Sequence, residues 1–570
     1  MVAAGLVEQK EAGVAQRAQG GRERARGTQG PLSPQELLRE SVVKPAMALA
    51  EDAPDTPHGR VEVQLVDGEA AGGLRLGTAA GRWVLLATVL GSGVVMLDGT
   101  VVNIALPTIG RDFHTQLATL QWTVTAYTLT LAAFILIGGS LGDRYGRRRV
   151  FVIGIIWFAA ASLLCGIAPG PTVLIAARAL QGVGGALLTP GSLAIIQSSF
   201  HPDERSHAIG LWSGFGGLTT AIGPFVGGYL IQAVSWRLIF LINLPLVAAV
   251  LWVAIRHVPE TKGSAARERL DLTGAALTAF GLGGLIYGLI EGPARGWTSP
   301  VVLGSLAAGA AFLAAFLVAE HRSAHPMLPL SIFRSRQFSG ANLVTFLVYG
   351  ALGGAIFLIP LQLQQALGYS PLASGAALLP VTFIMLALSA QAGKLSQRIG
   401  PRLPMTVGPI VAGAGLALLW RVQPGQSYVT TFLPAIVVFS LGLVTTVAPL
   451  TAAVLAAAPV GNAGLASAVN NAVARAAGLI AVAALPAMAG LAGSAYLHPA
   501  VFSAGFQTAM LIAAAVCAAG GVVALLTIPG RASRSLDARE SGSGQAAAEE
   551  LAAFSCGLDA PPFCETEATA

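Results

Sequence analysis

Charge is what this sequence has least of. Only 11% of its 570 residues are Asp, Glu, Lys or Arg, against roughly 25% in soluble proteins. Meanwhile 54% are hydrophobic and the mean hydropathy is +0.68. So little polar side chain excludes a water-soluble globule of this length. Cysteine is also scarce. Of the 4 present, Cys165 and Cys517 lie in apolar runs, and Cys556 and Cys564 lie in an acidic tail. No Cys-x-x-Cys or His-rich cluster accompanies them, so unpaired thiols are expected, with no disulfide framework and no metal. A Walker-type phosphate loop is missing, which excludes direct use of ATP. Gly138 to Gly142 matches the G-x-S-x-G nucleophile elbow, but it ends an apolar helix rather than a strand and no His accompanies it. An enzyme is therefore not expected, nor is a nucleic-acid partner. No apolar run follows the basic residues at the amino end, so no signal peptide is read there. Met47 is a candidate start, which would leave residues 1–46 untranslated.

The abundant feature is the long apolar run. Stretches of about 20 residues, enough to cross roughly 30 Å of hydrocarbon as a helix, lie near 83–106, 120–141, 150–168, 172–195, 207–231, 237–256, 272–290, 300–319, 338–365, 373–392, 404–420, 429–453, 464–490 and 504–528. They are uniformly apolar rather than alternating, which selects helices over a barrel. The fold class is an all-α polytopic membrane protein with fourteen spans, its lipid partner the bilayer. With the amino terminus inside, inside connections hold fifteen Arg and Lys and outside connections four, as the positive-inside rule requires. Both termini are then cytoplasmic, in the cell membrane. Residues 1–80 and 530–570 hold 18 of the 28 acids, and their mixed charge and few aromatics predict disordered tails.

A repeat divides the spans. Gly139-Ser140-Leu141-Gly142-Asp143-Arg144-Tyr145-Gly146-Arg147-Arg148 follows the second span. Gly393-Lys394-Leu395-Ser396-Gln397-Arg398-Ile399-Gly400-Pro401-Arg402 follows the tenth. Gly, Leu, Arg, Gly and Arg recur at an offset of 254 residues. The spans thus form a six-helix bundle over 81–257, a two-helix insertion over 258–321 and a second bundle over 322–529. Parallel six-helix repeats describe a transporter that rocks around a central cavity.

Four motifs carry a resemblance. Gly139 to Arg148 matches G-x-L-x-D-R-x-G-R-R, the first cytoplasmic loop of the major facilitator superfamily. Leu97-Asp98-Gly99-Thr100-Val101-Val102-Asn103-Ile104-Ala105-Leu106-Pro107 resembles a first-span stretch of its fourteen-span drug:proton antiporters. Arg178-Ala179-Leu180-Gln181-Gly182-Val183-Gly184 resembles the R-x-x-Q-G-x-G motif linked to proton coupling. Gly223-Pro224-Phe225-Val226-Gly227-Gly228 resembles the core of the antiporter motif, with Thr219 where an earlier glycine usually stands. The resemblance covers about 82–528. It implies two six-helix bundles plus two extra central helices, and export of small amphipathic organic molecules in exchange for protons. It also implies no cofactor beyond the proton gradient, and function as a monomer. Proton-coupled uptake is the alternative that Thr219 leaves open; a non-transporting membrane sensor is the other.

Physics supplies independent reasons for some of these residues. A carboxylate inside a membrane costs several kcal/mol unless paired or hydrated, and Asp98 is the only acid well inside a span. Arg178 and Arg475 are the only bases so placed. At 1.5 Å per residue, Asp98 lies about 13 Å and Arg178 about 10 Å from the outer ends of their helices. The two share a level and are the proton-coupling candidates, or else a static ion pair. Asp143 is expected to cap a helix of the opposite bundle and so latch the inner gate, and the resemblance implies the inner start of the thirteenth span, near Asn462, as its partner. Arg144 is read with the same gating loop, and Arg147, Arg148 and Arg149 are explained equally by gating or by topology. Gly223, Pro224, Gly227 and Gly228 are expected to kink and closely pack the fifth span. Candidates to line the substrate cavity are Asn103, Trp122, Tyr127, Gln181, Gln362, Gln365, Asn471 and Arg475, with Trp122, near a span end, equally read as an interface anchor. Asn470, beside Asn471, needs hydrogen-bond partners at that depth.

Overall fold

The computed structural model describes residues 73–262, 271–323, 328–457, 463–491, 493, 496 and 498–530. Each of the fourteen apolar stretches falls on one helix. The helices are α1 (Ala79–Asp112), α2 (Leu117–Tyr145), α3 (Arg147–Gly166), α4 (Pro171–Ser199), α5 (Pro202–Ala233), α6 (Leu238–His257), α7 (Leu272–Arg295) and α8 (Pro300–Arg322). They continue as α9 (Arg336–Ala366), α10 (Pro371–Ile399), α11 (Arg402–Arg421), α12 (Tyr428–Ala456), α13 (Ala463–Met488) and α14 (Pro499–Thr527). Thirteen of them are long and apolar enough to cross a membrane. The fourteenth, α5, has the length at 32 residues, but its glycines, threonines and proline dilute its hydropathy.

Local chemistry sets the helix ends. Thr78, Ser335 and Ser370 accept from the backbone N–H three residues on and cap α1, α9 and α10. Proline opens α4, α5, α8 and α14, where its missing N–H costs nothing. The repeated loop appears as repeated geometry. Gly146 ends α2 at φ +111° and Gly400 ends α10 at φ +87°, a region that favours glycine. Their N–H groups donate to Gly142 and Ser396, which are themselves 254 residues apart.

Among the described residues the only non-helical pairing is an isolated bridge of Leu74 with Phe200. It corrects the tail boundary at residue 80. The Leu74 N–H donates to Ser199 O, and the Leu76 N–H to the Glu204 carboxylate, so residues 74–76 dock on the α4–α5 turn. The rest of both tails, with Cys556 and Cys564, lies outside the described residues.

Within the first six helices, α1 packs on α4, α5 and α6, while α4 packs on α2 and α3. Within the last six, α9 packs on α13 and α14, and α11 on α12 and α14. The two groups meet through α5 with α10, α2 with α13, and α1 with α9. One apolar core runs across that junction, from Ile104, Leu106 and Ile109 to Leu358, Leu361 and Phe502. A separate core, with Val84, Phe151, Ile195 and Trp212, fills the first group toward its Asp143 end. The groups are therefore welded at the end where Tyr496 lies. Of the insertion, α7 packs on α2 and α13, whereas α8 buries only 11% of its apolar window and turns the rest outward.

Candidate functional site

The centre of the first six helices holds a closed polar network. Asp98 of α1 and Arg178 of α4 form an ion pair, Arg178 Nη1 to Asp98 Oδ2, and each is 1% exposed. Arg178 also donates to Gln181 Oε1 at 2.7 Å and, through Nε, to Thr123 O at 3.2 Å. Its guanidinium lies 4.1 Å from the Tyr127 ring centre, a cation–π contact that helps replace lost hydration. Gln181 Nε2 donates to Asp98 Oδ1 at 2.9 Å, and Asn243 Nδ2 reaches the same oxygen at 3.2 Å. Both amides also donate to Ser162 Oγ, whose hydroxyl donates to Phe240 O. A buried pair of charges is tolerable only when its remaining hydrogen-bond capacity is met, and here α1, α2, α3, α4 and α6 each contribute. The equal depths predicted for Asp98 and Arg178 correspond to this contact. Asn243 and Ser162 were not among the sequence candidates. Their signal was a polar side chain deep in an otherwise apolar run, with Pro245 two residues beyond Asn243.

Several cavity candidates sit elsewhere. Tyr127 and Gln181 belong to this network, shut inside the first six helices. Trp122 meets the insertion: its indole donates to Glu291 at 3.3 Å and its ring lies near Tyr287, both on α7. Gln362 is buried and donates to Val422 O and Ser503, inside the last six helices. Gln365 donates to the Tyr496 hydroxyl at 2.6 Å. It is the neighbouring Gln364 that crosses between groups, to Ile104 O at 2.9 Å, since the π-helical turn Gln362–Ala366 shifts the expected facing. Asn103 donates only to Gly99 O in its own helix. Asn471 lines a small cleft of about 40 Å³, together with Tyr349, Thr451, Ser467 and Asn470. Asn470 itself ties α13 to α9 through Asn342 and Thr345. Arg475, further along α13, lies within electrostatic range of Tyr127.

At the junction of the groups, a Cβ on Gly228 would lie 2.5 Å from Pro371 O and 2.8 Å from Leu372 Cα. A Cβ on Gly375 of α10 would lie closer still to Pro224 O of α5. Gly223 and Gly227 instead face Thr100 and Val101 of α1. One face of the motif thus packs within the first group and the other contacts the second. Gln121 reinforces the same end, donating to Val482 O at 2.7 Å. Tyr496 completes it, and burial pushes its phenol up to about 12, so it remains neutral at physiological pH.

The Asp143 loop is held within its own group. Asp143 pairs with Arg147 at 2.8 Å, and Arg144 lies over the Tyr145 ring. Gly139 rests against Pro190. The residue near Asn462 expected to meet Asp143 lies outside the described residues. Sequence reasoning missed Glu260, which accepts from the Arg148 N–H at 3.1 Å and faces the Arg148 and Arg149 guanidiniums. Arg147 N–H donates to Thr261 O at 2.9 Å. The segment leading to the insertion therefore clasps the start of α3.

Comparison with known proteins gives a consistent assignment. Residues 88–482 match the Major Facilitator Superfamily. A tetracenomycin C resistance and export protein of Streptomyces glaucescens is 34% identical over 70% of this chain and 74% of its own. A puromycin resistance protein of Streptomyces alboniger is 38% identical over 73% and 83%. A multidrug resistance protein of Mycobacterium tuberculosis is 36% identical over 68% and 72%. A solved peptide transporter in complex with sulfate aligns over 80% of this chain and 98% of its own, with a TM-score of 0.58 at 17% identity, a likeness of fold. With its fourteen helices and these relatives, the chain belongs to the Major Facilitator Superfamily and is a transporter rather than an enzyme.

Proposed function

We propose that this transporter exports small amphipathic organic molecules across the cytoplasmic membrane in exchange for protons. The buried Asp98–Arg178 pair is the observation that carries the reading. A group that ferries protons through hydrocarbon must titrate, and Asp98 is the one acid at depth, its charge held by Arg178, Gln181 and Asn243. Burial favours its neutral form and the guanidinium its charged form, so a change in hydration on opening shifts the balance. The relatives named for resistance to puromycin and export of tetracenomycin favour export over uptake. In a drug-sensitive bacterial host, the expressed protein should lower puromycin accumulation, and a proton uncoupler should erase that difference. Raised accumulation would instead mark an importer.

The proposed orientation places the Asp143 end in the cytoplasm and the Tyr496 end outside. A reporter fused after Arg402 should then report cytoplasm and one near Gly170 the outer side; the reverse pattern rejects the map. Asp143 is read as a latch on the inner gate, made with the opposite group when that gate is shut. Asp143→Asn should raise labelling of a cysteine placed at the inner cavity mouth severalfold, consistent with a contact worth about 0.3–2 kcal/mol. Unchanged labelling with normal transport would reduce the loop to a topology signal.

A further inference from the structure

An ionised carboxylate only accepts hydrogen bonds, whereas a protonated one must also donate. The network around Asp98 is built for the first condition. Its Oδ2 takes Arg178, and its Oδ1 takes Gln181 Nε2 at 2.9 Å and Asn243 Nδ2 at 3.2 Å. Once the acid is protonated, Arg178 offers no acceptor, so the donated bond has to leave Oδ1 toward the two amides. Gln181 is not free to turn. Its Oε1 already accepts from Arg178 at 2.7 Å and from the Cys165 thiol at 3.6 Å. Asn243 is different: it is wholly buried, and its Oδ1 has no hydrogen-bond partner.

We infer that Asn243 is a positioning residue that reads the protonation state of Asp98 by turning its terminal amide. It donates to the carboxylate and, after half a turn, accepts from the acid. This rests on the reading of Asp98 as the proton carrier. The proton arrives on Asp98 Oδ1 and stays there; Asn243 neither gains nor loses one. Ser162 completes the exchange. Its Oγ accepts from Asn243 Nδ2 at 3.0 Å and donates to Phe240 O at 2.9 Å. After the turn its hydroxyl swings to the amide oxygen. Each orientation leaves one amide atom of Asn243 unpartnered, so neither is fully satisfied and both stay accessible. The charged and titratable groups facing Asp98 are Arg178 of α4, Tyr127 of α2 and Cys165 of α3, with Arg475 of α13 at longer range. From α6 come Asn243 and Phe240, and α5 packs on α1 through the uncharged Gly223 and Gly227.

Infrared difference spectra of full-length protein in liposomes, taken as pH is lowered, test this. Wild type should develop a carboxylic-acid band that Asp98→Asn removes. An asparagine amide band should shift at the same pH, and Asn243→Leu should remove that shift. In Asn243→Leu the acid band should appear at higher pH, because bonds to a charged partner are the stronger. The displacement should stay under about tenfold in proton concentration, since both forms of the acid lose a bond. Asn243→Thr, whose hydroxyl both donates and accepts, should stay within about twofold of wild type. A displacement of roughly ten- to hundredfold in Asn243→Leu would mean a fixed donor and overturn the inference. So would an amide band that stays still while the acid band appears, a result readable in wild type alone should the leucine variant fail to fold. Absence of any acid band dependent on Asp98 would remove the proton-carrier reading itself, and this inference with it.

Discussion

Asp98→Asn should abolish uphill transport while leaving downhill exchange of substrate. Asparagine keeps the shape of the side chain and can still accept at one oxygen, but it takes up no proton. The measurement is accumulation, in proteoliposomes under an imposed pH gradient, of any substrate that the wild type moves. Wild type should concentrate it, and the variant should at most equilibrate it. The substitution leaves Arg178 uncompensated, and breaking a buried pair costs about 3–5 kcal/mol, so the amount of folded protein must be measured alongside. Arg178 retains Thr123 O, Gln181 and the Tyr127 ring, which blunts that cost. Adding Arg178→Gln to Asp98→Asn removes the stranded charge and should recover folded protein without recovering uphill transport. Uphill transport by Asp98→Asn at the wild-type rate would make the pair a packing device.

The second large effect is expected at the junction of α5 and α10. Gly228→Val or Gly375→Val places methyl groups where backbone now sits, 2.5 Å from Pro371 O in the first case. Overpacking of this kind costs about 1–3 kcal/mol, and here the cost falls on the state in which the two helices touch. An equilibrium between states shifts about tenfold per 1.4 kcal/mol, so transport should fall about tenfold or more. Spin labels on α5 and α10 should move apart at the Tyr496 end. Gly227→Ala, which presses on Val101 within the first group, should leave that distance unchanged. Equal spreading in both would mean that the motif shapes α5 rather than the junction.

The sequence made much of this architecture legible because the bilayer imposes length and polarity on every span. Apolar runs located all fourteen helices, and the 254-residue repeat reappears as paired glycine caps at Gly146 and Gly400. Rise per residue levelled Asp98 with Arg178, although α1 runs on to Asp112, past the Pro107 from which the depth of Asp98 is counted. What stayed hidden depends on docking and local irregularity. Nothing in the runs says where the insertion packs, so the contact of Trp122 with Glu291 on α7 is not legible in them. A π-helical turn cannot be read from composition, and it makes Gln364 rather than Gln362 or Gln365 the crossing residue. Glu260 was overlooked because connections were counted for their bases alone. Asn243 carries no charge to mark it, and one amide in an apolar run does not show which neighbour it meets.

Proton movement itself offers the most direct test of coupled exchange. Proteoliposomes loaded with a substrate that the wild type moves and a trapped pH dye, with no pH gradient at the start, should be diluted into substrate-free buffer. As substrate leaves through the wild-type protein, protons should enter and the lumen should acidify, and Asp98→Asn should release substrate without that change. Substrate leaving wild-type liposomes with no change in lumenal pH, or with alkalinisation, would contradict exchange through Asp98.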